Sequence, residues 1–225
     1  MSNILRGDLN SDVEDGLVQT YKDYPNTGML ICVSGPSGVG KGTVIDALKK
    51  RMPFLAHSTS VTTRPSRDGE IEGTDYFFRT KEEFAIMIEN NEILEHDVYG
   101  GNFYGTPRKA IEERVTAGED IIMDVTVQGS LSILLRYETA CNIFLLPPSL
   151  SELKERLVGR GTETQESLEF RLDKAHTEIN MASKFDYILI NKDVEKTAEE
   201  IYHIIIAEKL RAARRPGIEK KVIER

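Results

Sequence analysis

The chain has 225 residues, 40% of them hydrophobic and 29% charged, which suits one globular α/β domain with a buried core and small inserted lobes. A net charge of −8 argues against a nucleic-acid partner drawn by the global field, and no apolar run approaches membrane-spanning length. The two cysteines, Cys32 and Cys141, sit in apolar runs without metal-type spacing, as buried free thiols do, and the acidic N-terminus has no apolar signal core, so a cytoplasmic location is expected.

Residues 1–27 are polar and aperiodic and read as an arm. Met29 to Val33 is a continuous apolar run, the pattern of a strand buried on both faces. A glycine-rich turn from Gly35 to Gly42 follows. Then Val44, Ile45, Leu48 and Met52 recur at helical spacing until Pro53. Ser60 to Phe78 reads as short strands and loops. Thr80 with Glu83 forms a capping box for a helix carrying Phe84, Met87 and Ile88. Thr106 with Pro107 signals another helix start, closed by Gly118. Ile121 to Val125 is a second buried strand with Asp124 at its end, and Asn142 to Leu146 is a third, stopped by Pro147 and Pro148. Ser149 with Glu152 caps the next helix, which breaks at Gly159-Arg160-Gly161. A polar helix over 165–182, a strand over 187–190 and a long helix over 194–211 complete the pattern, and the charged tail 214–225 is expected to fray. Apolar strands alternating with helices imply a mostly parallel sheet covered on both faces.

Gly35-Pro36-Ser37-Gly38-Val39-Gly40-Lys41 matches the G-x-x-x-x-G-K part of a P-loop, between a buried strand and a helix. Glycines let backbone N–H groups turn inward around a phosphate, the helix N-terminus adds partial positive charge, and Lys41 supplies a compact cation for the outer phosphates. One departure stands out. The hydroxyl residue expected directly after the lysine is replaced by Gly42, with Thr43 following, so a magnesium ion here is expected to rest mainly on nucleotide phosphates and water.

Further motifs narrow the reading. Ser60-Val-Thr-Thr-Arg64-Pro-Ser-Arg67-Asp-Gly-Glu70, Gly73-Thr-Asp-Tyr76-Phe-Phe, Leu94-Glu95-His96, Gly101-Asn-Phe-Tyr104-Gly-Thr106, Arg156-Leu-Val-Gly-Arg160-Gly-Thr-Glu-Thr164, Phe170-Arg171-Leu172 and Ile190-Asn191 follow one another in order. Together with the P-loop they strongly resemble the guanylate kinase family, from about Met29 to Arg211. The resemblance implies a P-loop nucleoside monophosphate kinase that uses ATP and Mg²⁺ to phosphorylate GMP. Residues matching Arg64, Arg67, Tyr76 and Tyr104 would hold the GMP phosphate, and those matching Ser60, Glu95 and Thr106 would read guanine. The chemistry agrees: planar guanidinium forks suit phosphate, and a carboxylate accepts from guanine N1–H and the 2-amino group, both missing from adenine. Glu70 either touches ligand or pairs with an arginine. Between the two arginines Pro65-Ser66 reverses the family's usual order.

In the family, residues matching Arg156, Arg160 and Arg171 belong to a lid over the ATP phosphates, where charge on the transferring group must be stabilised. The catalytic set expected is thus Lys41, Arg64, Arg160 and Arg171, with Arg156 behind them. The ATP-binding set is Gly35 to Thr43 with Asn191. Asp124, at a strand end beside the phosphate site, is the candidate metal-side acid. After it, many family members carry a second acid near the guanine, where this chain has Thr126.

The expected architecture is therefore an α/β P-loop kinase with a parallel core (28–58, 109–149, 183–213), an acceptor lobe (59–108) and a helical lid (150–182). The expected partners are the small molecules GMP and ATP, with neither nucleic acid nor membrane, in a monomer or homodimer. Two alternatives remain: a catalytically silent relative that binds proteins, against which the intact Gly35, Gly40 and Lys41 argue, and a kinase for another phosphorylated acceptor.

Overall fold

The computed structural model describes residues 27–159 and 165–224. Its centre is a five-stranded, all-parallel sheet. In spatial order it runs β2 (Ala56–His57), β7 (Ile121–Asp124), β1 (Leu30–Ser34), β8 (Cys141–Leu146) and β9 (Tyr187–Ile190). Every residue of β1 is buried, as the unbroken apolar run requires of a central strand covered on both faces.

Helix α1 (Lys41–Arg51) begins directly after the glycine-rich turn. On one face of the sheet, Val44, Ile45 and Leu48 of α1 join Ile31 and Val33 of β1 and Ile201 and Ile205 of the long C-terminal helix (Val194–Lys209) in one core. On the other face, Leu30, Cys32, Ile121 and Met123 pack with Ile111 and Ile133. Cys32 and Cys141 are both buried free thiols, and burial pushes both thiols far up, which keeps them unreactive.

A second sheet stands apart as four short strands in the order β4 (Tyr76–Phe78), β3 (Ser60–Thr62), β6 (Asn102–Pro107) and β5 (Ile93–Tyr99). Its β3–β4 pair is parallel and its other two pairs are antiparallel. Helix α2 (Lys81–Glu89) covers it, burying Phe84 with Val61 and Ile93. The capping box at its start is complete, Thr80 and Glu83 each accepting from the other's backbone N–H.

Three local expectations change. Thr106 does not cap a helix: it lies within β6, and α3 (Arg108–Thr116) starts from Pro107, which offers no side-chain cap. An additional helix, α4 (Val127–Leu134), follows β7, with Thr126 as its N-cap accepting from the Gly129 N–H at 3.1 Å. The C-terminal tail is not frayed where its charge begins. Arg214 is buried and donates to the buried Glu208 at 2.8 Å, with the Tyr187 hydroxyl on the other carboxylate oxygen at 2.7 Å, and a short helix spans Ile218–Ile223.

Helix α5 (Leu150–Val158), capped by Ser149, packs on α6 (Gln165–Ile179) through Leu153, Leu157, Leu168 and Ala175. Arg160, on which part of the expected phosphate chemistry rests, lies outside the described residues. Among the described residues no helix is long and apolar enough to cross a membrane.

Candidate active site

The C-terminal ends of β1 and β7 open into a cleft of about 370 Å³ between the parallel sheet, the small sheet and α6. Ligand crevices in parallel α/β sheets form at this end of the strands. Its walls combine residues from four places. Gly35, Ser37 and Lys41 come from the phosphate-type loop. Ser60, Tyr76, Glu95, Asp97 and Tyr104 come from the small sheet. Asp124 ends β7 and Thr126 follows it, and Lys174 and Glu178 come from α6. Lys41, Ser60, Tyr76, Glu95, Tyr104, Asp124 and Thr126 are thereby brought to one cavity from well-separated stretches of sequence.

The loop is held open by backbone conformations that favour glycine. Gly35, Gly38 and Gly40 all have positive φ, at 147°, 86° and 101°. A Cβ on Gly35 would lie 2.4 Å from the Leu145 carbonyl oxygen, so β8 runs directly against the loop. The loop is also anchored from behind. The Val39 carbonyl accepts from Arg156 Nη1 at 3.1 Å and from Asn191 Nδ2 at 2.8 Å. The second Arg156 nitrogen reaches the Asn191 carbonyl at 2.9 Å, and Thr197 donates to Asn191 Oδ1 at 3.2 Å. Arg156 and the buried Asn191 therefore hold the loop's outer turn, and neither lines the cleft. The side chain of Lys41 folds back onto the Gly35 carbonyl at 3.0 Å and stands 3.9 Å from Asp124. The surrounding protein pushes the Asp124 carboxyl up, opposed by Lys41 and His57. Gly42 and Thr43 are exposed in the first turn of α1.

Among the described residues no group of three or more His, Cys, Asp or Glu side chains can by itself hold a metal ion. Asp124 is instead one carboxylate beside a phosphate-type loop. That suits Mg²⁺, which keeps several waters and takes substrate phosphates with one or two carboxylates.

At the opposite wall, Glu95 is 8% exposed and accepts from the Thr106 hydroxyl at 2.6 Å. Burial pushes its carboxyl up to about 7; Thr106 pulls it down and the neighbouring Asp97 adds to the rise. The second oxygen lies against the first turn of α4: a Cβ on Gly129 would come within 2.2 Å of it. A side chain there would push the carboxylate aside, so α4 packs its N-terminal turn directly on it. Thr126, one turn earlier, caps this helix and also faces the cleft.

Arg64, Arg67 and Glu70 stand outside the lining of the cleft. Glu70 grips Arg64 through two bonds, 2.9 and 2.7 Å, and accepts from the Arg67 N–H at 2.7 Å. These bonds hold its carboxyl down to about 2. Of the two roles open to Glu70, the arginine pair is the one formed here. The Arg64 guanidinium lies 5.3 Å from the Tyr76 ring centre, which brings it to the phenol that lines the cleft. The Arg67 side chain is exposed. Arg171 lies on α6, partly buried, and is not part of the cleft wall.

The sequence reading did not single out Asp97, Lys174 and Glu178. Lys174 Nζ lies 3.9 Å from both carboxylates, on β5 and on its own helix. Only the i, i+4 spacing of Lys174 and Glu178 is visible along the chain.

Comparison with known proteins places this cleft in context. The family model described as "Guanylate kinase" matches residues 27–208. A guanylate kinase of Halalkalibacterium halodurans is 48% identical over 181 residues, 80% of this chain and 89% of that protein. One of Bacillus subtilis is 45% identical over 198 residues, 88% of this chain and 97% of that protein. The crystal structure of guanylate kinase from Anaplasma phagocytophilum superposes with a TM-score of 0.76 at 34% identity, covering 90% of this chain and 97% of that one.

Proposed function

Because this chain belongs to the guanylate kinase family, we propose that it transfers the γ-phosphoryl group of ATP to GMP, giving GDP and ADP. The observation that carries the reading is the joint lining of one cleft by a phosphate-type loop with its lysine and by the buried Glu95. The loop suits a nucleoside triphosphate, and the carboxylate suits a base that offers two neighbouring N–H donors.

In this reading the N–H groups of 35–42 and the positive end of α1 hold the ATP phosphates, and Lys41 leaves the Gly35 carbonyl to meet the outer ones. Arg156 and Asn191 act from behind, fixing the Val39 peptide so that the loop keeps its curvature. Arg64, already oriented by Glu70 and the Tyr76 ring, reaches the acceptor phosphate together with Arg67 and the Tyr76 and Tyr104 hydroxyls. Ser60, Glu95 with Thr106, and Thr126 face the base. Asp124 would be the protein-side carboxylate for Mg²⁺, which when bound would supply positive charge to the ATP phosphates. Arg160 and Arg171 supply further positive charge to the ATP phosphates from the segment 150–182, acting as a lid. The reaction needs no strong base, since positioning and charge complementarity carry most phosphoryl transfer.

An acceptor panel tests this directly. Purified protein with ATP and Mg²⁺ is expected to release ADP rapidly with GMP and dGMP, less with IMP and least with AMP. Equal turnover of AMP would move the base-reading role away from Glu95.

A further inference from the structure

The wall of the cleft formed by α6 carries a charge that reaches the small sheet. Lys174 leaves α6 with its Nζ 3.9 Å from Asp97 Oδ2 on β5 and 3.9 Å from Glu178 Oε1 one turn further along its own helix. The three side chains are partly shielded, 32%, 23% and 13% exposed for Lys174, Asp97 and Glu178. Asp97 is oriented: its Oδ1 accepts from the Val98 N–H at 2.7 Å, which leaves Oδ2 for the lysine. Side chains alternate along a strand, so Asp97 points to the same side of β5 as Glu95, two residues earlier, and both line the cleft with Lys174 and Glu178. Burial pushes the Glu178 carboxyl up, and Lys174 and Lys41 counter only part of that rise. A cation here thus bridges the helix that bounds the donor side and the strand that carries the base-reading carboxylate.

We propose that Lys174 is a positioning residue. With Asp97 it forms an ionic latch that holds α6 against the acceptor sheet beside the purine pocket, so that part of the closure needed for transfer is present before both substrates bind. This rests on the reading of the cleft as a GMP site and names the contact that sets its closure. Glu178 keeps the lysine extended along the helix toward Asp97. A partly shielded ion pair of this kind is worth a few-fold in an equilibrium constant, enough to bias an open–closed balance without locking it.

The test uses the full chain with two exposed label sites, Glu166→Cys on α6 and Glu89→Cys on α2; the buried Cys32 and Cys141 do not compete for label. Pulsed dipolar spectroscopy without ligands reads the distance between helix and lobe in the parent, Lys174→Met, Asp97→Asn, the double variant and Lys174→Arg. The latch predicts a shift to longer distances in each single charge-removing variant, no further shift in the double variant, and recovery in Lys174→Arg. It also predicts that KM for GMP rises roughly two- to fivefold in the singles while kcat changes less, again without addition in the double. Unchanged distances in Lys174→Met, or single effects that add in the double, would overturn the latch. If the parent fails to phosphorylate GMP, the functional reading falls, and the distance series still decides whether the ion pair holds α6 to the sheet.

Discussion

The Thr106 hydroxyl donates to Glu95 Oε1 at 2.6 Å across the β5–β6 hairpin, and both groups are buried. A threonine at the start of a helical pattern is diverted from capping to hold one oxygen of a carboxylate, while the other oxygen lies against Gly129 of α4. The carboxylate is thereby fixed in orientation before any base arrives, and its surroundings raise its proton affinity.

Glu95→Gln tests the consequence for recognition. The amide turns one acceptor into a donor, so kcat/KM for GMP should fall by roughly 1–3 kcal/mol, with a smaller loss for AMP. Steady-state kinetics with both acceptors checks it. Equal GMP kinetics in variant and parent would place the base elsewhere.

The same carboxyl gives a pH signature. Its folded value of about 7 lies above the ordinary 4.5, so between these values the folded protein binds more protons than the unfolded chain. Its contribution therefore favours the ligand-free fold below about pH 4.5 and is lost as pH rises through 7. Recognition runs the other way, because the ionised form is the double acceptor. kcat/KM for GMP should rise through a titration near pH 7 that is missing in Glu95→Gln, and thermal unfolding of the empty protein should lose the matching pH dependence.

Thr126 carries two duties, capping α4 and facing the cleft. Thr126→Asp keeps the cap, since aspartate is an equally good N-cap, and adds a charged acceptor. It should raise kcat/KM for GMP relative to IMP by about 1 kcal/mol, the net value of one added hydrogen bond, with little change in Tm. Thr126→Val should instead cost about 1 kcal/mol of stability through the lost cap. A Thr126→Asp variant that gains nothing for GMP over IMP removes this position from base reading.

Asn191→Ala separates anchoring of the loop from direct contact with nucleotide. It removes the bonds to the Val39 carbonyl and from the Thr197 hydroxyl, which keeps the Asp193 carbonyl, at a cost of about 1 kcal/mol in stability. KM for ATP should rise while KM for GMP stays close to the parent value, read by varying each substrate in turn. Parallel rises in both would argue against a role confined to the donor loop.

The parts legible in the sequence were those that a single element or a contiguous motif encodes. The apolar run of β1, the glycines that accept positive φ and the box of Thr80 with Glu83 each appear in the structure as read. What escaped depends on residues far apart in the chain. Helical patterning made Thr106 a cap, but the hairpin register sets it opposite Glu95. The charged tail looked unanchored, yet the buried Glu208, which also accepts from the Tyr187 hydroxyl, receives Arg214. Lys174 reads as one cation on a polar helix; only the fold brings it to Asp97. Arg156 illustrates the reverse: its motif position suggested the donor phosphates, and its guanidinium is found behind the loop on two carbonyls.

Lys41 concentrates the central claim. It stands between the Gly35 carbonyl and Asp124 at the floor of the cleft, and its charge is the loop's own contribution to the phosphates. The most direct measurement is GMP-dependent ADP release by the parent and by Lys41→Ala, with folding of both checked by circular dichroism and thermal unfolding. The account predicts rapid release by the parent with GMP, and a loss of about 10²–10³-fold or more in kcat for a folded variant. Near-parental kcat in folded Lys41→Ala, or no GMP-dependent release by the parent, would contradict it.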